Sequence, residues 1–374
     1  MKLRSKRVEW VYLLYFILIV LISSYVYTLY VNRFTRHIER FTDRRPLVIG
    51  FDETWDLFNK ELNLFTLVCE HTGKYLSGGE RKVIGVDVKK FSPGEEAIDI
   101  FMFFENGGDR FKQLKPGIPK VHFTGEPQEK RVEGTTLSLG FNYDTNHYFR
   151  FPLWLFYINW FHQDIQKLKD IGPIAIDRCS KVFPEEIPAK NKFCSFIVTN
   201  GKQPVRNRAF DVLSNYKHVE SAGRYKNNVG DVLPPRGASM EIPKVEYLKQ
   251  FKFCMAYENM IQEGYTTEKL LHAKAAGCIP IYWGDPKVEN DFDINGCIDA
   301  RNFTTDEELV DAVREIDTND ELYRQKFMVP LLDETRLGRA RATLAECGKR
   351  LWSLVLSEEE VSTIPQQIGE TSGS

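Results

Sequence analysis

The chain has no Cys-x-x-Cys pair and no His-x-x-x-His pair, so a zinc site of the usual spacing is excluded. Its seven cysteines are scattered and odd in number, which excludes a complete disulfide framework. Cys194, Cys254 and Cys278 each lie inside an apolar run and are expected as buried free thiols. No Gly-x-x-x-x-Gly-Lys-[Ser/Thr] loop occurs, so "LSGGE" at 76–80 lacks the phosphate cradle that an ATP-binding cassette needs. It reads as a glycine turn. An excess of positive charge is missing too: 50 Lys and Arg stand against 52 Asp and Glu, which gives nucleic acid no electrostatic footing. No repeat of solenoid period is present.

One long apolar run is present. Residues 10–31, WVYLLYFILIVLISSYVYTLYV, carry no charge and have the length a helix needs to cross a bilayer. Lys2, Arg4, Lys6 and Arg7 precede it and favour a cytoplasmic N-terminus, although Arg33, Arg36 and Arg40 flank the other end. The run is too long for a cleavable signal peptide, and its end too rich in Tyr and Arg. An uncleaved single-pass anchor is therefore expected at 10–31, after a cytoplasmic tail at 1–9 and before a polar stem at 32–45. The lipid bilayer is the partner this implies. Asn302-Phe303-Thr304 would be glycosylatable in a secretory lumen, while the same stretch, NFTTDEEL, reads as a helix-capping segment.

Beyond the stem the composition is ordinary, 43% hydrophobic and 27% charged over the chain, with length for about two cores. Short apolar runs alternate with helical stretches, the pattern of parallel sheets with covering helices. Strands are expected near 46–51, 83–87, 97–104 and 119–124, then near 193–199, 251–257, 278–283 and 295–299. Between the two series lies FRFPLWLFYINWFHQDIQKLKD, apolar enough to be packed between bodies. The economical architecture is two facing Rossmann-like domains, 46–170 and 171–356, binding ligands at the carboxyl ends of their strands. Residues 357–374 are polar and are expected to be disordered.

Residues 263–286, EGYTTEKLLHAKAAGCIPIYWGDP, read as a turn, a short helix, a left-handed stop at Gly277 and a buried strand. The helix is expected to start at Thr266 or Thr267, whose hydroxyl can cap free amides, which puts Lys269 in the first turn. A helix N-terminus already carries about half a positive charge, so a lysine there is locally unfavourable. The same oddity follows the strand FCSFIVT, where Pro204 opens a helix bearing Arg206 and Arg208. Either one alone is explained by a solvated side chain. Two at equivalent positions fit an anion the size of a nucleotide diphosphate. Asp291-Phe292-Asp293 has the form that holds a divalent ion in metal-dependent sugar transferases, but it lies in a polar loop, so no metal is expected there. The retaining pattern of two glutamates eight positions apart does not transfer either: Glu263 is present, but Leu271 occupies the partner position.

KFCMAYEN (252–259) followed by GYTTEKLLHAKAAGCIPIYWGDP (264–286) closely resembles the donor-binding signature of the alpha-1,3/1,4-fucosyltransferases, glycosyltransferase family ten. KFCSFIVTN with PVRNRAF, GRYKNN, FTGE and FRFPLW resemble further blocks of that family, so the likeness spans roughly 119–305 and is weaker over 46–118. It implies the GT-B fold and inverting transfer of L-fucose from GDP-fucose to a hydroxyl of an acceptor glycan, with O3 of N-acetylglucosamine the implied position. It matches Arg206 and Lys269 to the cations that hold the donor diphosphate and Glu268 to the acid that binds the ribose. Tyr265 and Asn259 match further donor-site residues, and Glu126 matches the general base. No cofactor beyond the donor is implied, and a eukaryotic member would sit in the Golgi membrane.

The chemistry is coherent without the likeness. Inverting transfer needs a base for the attacking hydroxyl and support for a leaving group that gains negative charge. Glu258, near a strand end, is a rival carboxylate on the donor side. Asp285 departs from comfort, since an acid beside Gly284 must face away from a phosphate or weaken its binding. The chain also lacks the paired C-terminal cysteines of many Golgi members and the leucine heptads of some bacterial ones. Two alternatives stay open: a transferase of the same fold using another nucleotide sugar, and a non-catalytic glycan-binding membrane protein.

Overall fold

The computed structural model describes residues 45–368, apart from 56–57, 93, 95–96, 105–108, 128–131, 144, 146, 162–171, 182–186 and 235–240. The expected anchor at 10–31, its tail and all but the last residue of the stem lie outside the described residues. Among the described residues no helix is long and apolar enough to cross a membrane.

Two wholly parallel sheets organise the chain. The first takes β1 (Leu47–Asp52), β2 (Val83–Asp87), β3 (Ile100–Phe104), β4 (Lys120–Phe123), β5 (Leu137–Gly140) and β6 (Tyr148–Arg150), in the order β2-β1-β3-β4-β5-β6. The second takes β7 (Lys192–Phe196), β8 (Val219–Ser221), β9 (Phe251–Tyr257), β10 (Ile279–Trp283) and β11 (Ile298–Asp299), in the order β11-β10-β9-β7-β8. Every residue of β3 and of β10 is buried, because helices and loops cover both sheet faces. That is why these strands read as unbroken apolar runs. The eight expected strands all occur, and β5, β6 and β8, of three or four residues each, join them unannounced by the sequence.

The described part of the aromatic segment after β6, residues 151–161, lies between the two halves; residues 162–170 lie outside the described residues. Phe151 and Phe156 join the first core, and the Trp154 ring meets Phe292 of the second half at 4.9 Å. All seven cysteines are buried and free. Thr305 caps the helix Asp306–Thr318 in a capping box with Glu308, as NFTTDEEL suggests, and Asn302 is exposed beside it.

The C-terminal part departs from the expected layout. The first helix, α1 (Leu64–Gly73), has nine of its ten residues buried and so needs cover on the side away from the sheet. A long helix near the C-terminus, Glu334–Ser353, supplies it by returning to the first unit, where the Trp352 Nε1 donates to the Cys69 carbonyl at 3.0 Å. The second domain therefore does not run unbroken to 356. Nor is 357–368 disordered. Ser357 and Glu360 form a capping box around a one-turn helix, and Val361, Ile364 and Ile368 close over the first core. The acidic run SEEE masks this, because its charge reads as solvated while its serine and third glutamate do the capping.

Candidate active site

A cleft of about 1010 Å³ opens between the carboxyl ends of the two sheets. One wall comes from the turns after β1 and β4, with Trp55, Gly125 and Glu126. The other comes from the turns after β7, β8 and β9 and from the start of a short helix. All six residues singled out from the sequence line it: Glu126, Arg206, Asn259, Tyr265, Glu268 and Lys269.

Arg206 is in the first turn of α2 (Pro204–Tyr216), which Pro204 opens and Gln203 caps by accepting from the Val205 amide at 3.2 Å. The side chain folds inward, only 3% of the residue remaining exposed, and its Nη1 and Nη2 donate to Asn259 Oδ1 at 3.1 Å and the Asn200 carbonyl at 2.9 Å. Burial lowers the pKa of the guanidinium, with Glu258 opposing, so an anion in the cleft would ease a real desolvation cost. Arg208 of the same turn is not part of the site; it is exposed and pairs with Asp306 at 2.6 Å.

The second cationic start differs from expectation. The helix there, α3 (Lys269–Ala275), begins at Lys269, with Glu268 as an N-cap that makes no side-chain cap. The threonines are drawn elsewhere. The amide and hydroxyl of Thr267 both donate to Glu258, each at 2.9 Å to Oε1. Lys269 Nζ lies 2.7 Å from Glu258 Oε2. Glu258 is almost fully buried at 1% exposure, and a buried carboxylate must collect such partners. Burial alone would lower the Lys269 pKa, but Glu258 and Glu268 more than offset it and hold the ammonium above its ordinary range. Glu268 is held well below its ordinary range: burial pushes it up, and Lys269, Lys244 and His272 push it down further. Both groups are charged at neutral pH. Gly277 ends the helix with φ +69, the left-handed stop read from the sequence.

Tyr265 is buried, and its hydroxyl lies 3.3 Å from Asn259 Nδ2, so Arg206, Asn259 and Tyr265 form one hydrogen-bonded chain. Burial raises the phenol pKa; the charge of Lys269 opposes, and those of Glu258, Glu126 and Glu268 reinforce. Glu126 thus lies near enough across the cleft to act on a donor-side residue. It is exposed, and its turn is fixed through Thr124, whose hydroxyl accepts from the Glu126 amide at 3.1 Å and donates to its carbonyl at 3.0 Å.

Two doubts from the sequence are resolved by position. Asp285 is fully buried behind the site, where it accepts from the amides of Gly264 at 2.9 Å and Lys287 at 2.8 Å. It faces away from the cleft. Asp291 accepts both prongs of Arg150 at 2.9 and 2.6 Å, and Asp293 caps a turn at the Asn295 amide, so the Asp-x-Asp carboxylates are already committed. Trp55, Arg224, Glu241 and Lys244 also line the cleft and were not singled out from the sequence. Lys244 reaches to 3.6 Å from Glu268. Nothing in "EIPKVEYL" separates that lysine from a solvated one, whereas a tryptophan three residues beyond a strand end was a usable signal.

Two parallel-sheet α/β units with a polar cleft between them are the architecture expected from the sequence. The comparisons narrow this. Residues 187–329 match the family model "Glycosyltransferase family 10 (fucosyltransferase) C-term". It is 28% identical over 224 residues to an alpha-(1,3)-fucosyltransferase of Helicobacter pylori, a match covering 54% of this chain and 45% of that protein. It is 33% identical over 137 residues to GDP-fucose protein O-fucosyltransferase 3 of Xenopus tropicalis, covering 31% of this chain and 29% of the other. The matched stretch thus spans less than half the length of these relatives. A crystal structure of alpha1,3-fucosyltransferase with GDP-fucose superposes with a TM-score of 0.55 at 22% identity, covering 78% of this chain and 84% of that one. That likeness is one of fold.

Proposed function

We propose that this protein is an inverting fucosyltransferase that moves L-fucose from GDP-fucose to a hydroxyl of an acceptor glycan, O3 of N-acetylglucosamine being the position assigned. The observation that carries the reading is the division of one cleft: an exposed carboxylate, Glu126, on the first wall, and on the second the linked Arg206, Asn259 and Tyr265 together with Lys269. Glu126 takes the proton of the acceptor hydroxyl as its oxygen attacks the fucose anomeric carbon from the face opposite GDP. The bond from that carbon to the diphosphate oxygen breaks, and Arg206 and Lys269 support the charge that GDP gains. Glu268 is assigned to the ribose hydroxyls. Lys269 would share its charge between Glu258 and the diphosphate, and two cations suffice for this step without a metal.

Residues 10–31 are assigned as a bilayer anchor that holds the cleft on the far side from residues 1–9, in the Golgi membrane if the source is eukaryotic. Donor choice is tested by measuring turnover of GDP-fucose against GDP-mannose and UDP-sugars. Preference for GDP-fucose supports the reading, and equal or greater turnover of another donor overturns it. The acceptor panel should hold both glycans and proteins, because one relative is named a 4-galactosyl-N-acetylglucosaminide 3-alpha-L-fucosyltransferase and another a protein O-fucosyltransferase.

A further inference from the structure

Arg150 ends β6, the edge strand of the first sheet, and its side chain crosses to the second unit. Nη1 and Nη2 meet the two oxygens of Asp291 at 2.9 and 2.6 Å. Nη2 also donates to the Gly264 carbonyl at 2.9 Å and to the Thr266 hydroxyl oxygen at 3.1 Å. That hydroxyl donates to Asp291 in turn. Only 13% of the Arg150 side chain and 8% of the Asp291 side chain are exposed. Ions so placed need hydrogen bonds to offset desolvation, and a planar fork meets Asp291, Gly264 and Thr266 at once where an ammonium would not hold the same geometry.

What the fork holds extends beyond the ion pair. Gly264 and Thr266 are the two neighbours of Tyr265, and Gly264 is held from the other side by Asp285. With φ +82, and with any Cβ placed 2.3 Å from the Phe141 carbonyl oxygen, this position requires glycine. Tyr265 is therefore fixed at both ends, its ring edge-on to Phe141 of the first unit at 4.6 Å. Its hydroxyl leads to Asn259 and Arg206, and Thr267, two residues on, binds the Glu258 that holds Lys269.

We propose that Arg150 is a positioning residue that carries the placement of the Glu126-bearing unit into the donor loop 264–269, setting the two walls of the cleft in register; this rests on the fucosyl-transfer reading above. A misplacement of about 1 Å between reacting groups costs on the order of 100-fold in rate. The experiment compares the full-length parent with Arg150→Lys, Arg150→Gln and the double variant Arg150→Gln/Asp291→Asn. Thermal unfolding, GDP binding by calorimetry and transfer kinetics are measured for each. Arg150→Gln leaves Asp291 buried without its cation and should lose both melting temperature and activity. The double variant removes that charge and should regain melting temperature, while its kcat stays down by on the order of 100-fold because nothing replaces the hold on Gly264 and Thr266. Arg150→Lys should fall between them. A double variant that regains both melting temperature and parental kcat shows an ion pair of structural value only and overturns the proposal. If the glutamine variants fail to fold, Arg150→Lys with parental kcat overturns it equally. A parent that binds no GDP is a different failure, that of the functional reading itself.

Discussion

Lys269 Nζ stands 2.7 Å from Glu258 Oε2, joining the first residue of a helix to the residue just past β9. The lysine that looks misplaced against a helix dipole is thus anchored before any ligand arrives. Its ammonium is held ready at the cleft wall, with 21% of the side chain still exposed.

Lys269→Met should therefore have two separable effects. Glu258 loses its cation while only 2% exposed, which costs about 3 kcal/mol or more of stability, read as a lower urea midpoint. GDP affinity should fall at least about 10-fold. Adding Glu258→Gln should restore the midpoint and leave the affinity low. GDP affinity at the parental level in either variant would remove Lys269 from the diphosphate clamp.

Lys274 gives a pH signature. Burial lowers its pKa to about 8, with the Asp293 carboxylate opposing, and its Nζ donates to the Phe327 carbonyl at 2.6 Å. The folded state gives up this proton near pH 8 and the unfolded chain only near the ordinary lysine value of 10.5. Between those values the unfolded state binds more protons, so stability should rise with pH, and the full cost of the buried charge applies below pH 8. Urea unfolding of Lys274→Met should lack this rise, which amounts to about 3 kcal/mol in the parent. Equal slopes in the two proteins would contradict the assignment.

The C-terminal helix should behave as part of the first unit. Trp352→Ala removes a fully buried indole and its bond to the Cys69 carbonyl, a loss of about 3 to 5 kcal/mol. Hydrogen exchange should then speed up in α1 before it does in β9 or β10. Faster exchange confined to the second sheet would assign the helix to the wrong body.

Much of this was legible in the residues. Fully buried strands such as IFMFF and IPIYW announce themselves because both faces are covered, and Gly277 and Pro204 mark their helix ends by backbone chemistry alone. The six site residues share one cleft because short motifs follow strand ends, where parallel sheets present their ligands. What was not legible depends on contacts far apart in sequence. Thr267 fails to cap because Glu258, nine residues earlier, claims its amide and hydroxyl. Asp285 faces away because Gly264 offers it an amide. The return of Trp352 to Cys69 spans most of the chain, and no local periodicity records it.

The division of labour across the cleft is tested most directly at Glu126, by measuring GDP-fucose transfer and GDP binding on Glu126→Gln side by side. The substitution keeps size and polarity and removes the negative charge together with the ability to take a proton. Transfer should fall by about 10² to 10⁴ while calorimetry returns the parental GDP affinity. Transfer at the parental rate with GDP still bound would contradict the assignment of the base to the first wall.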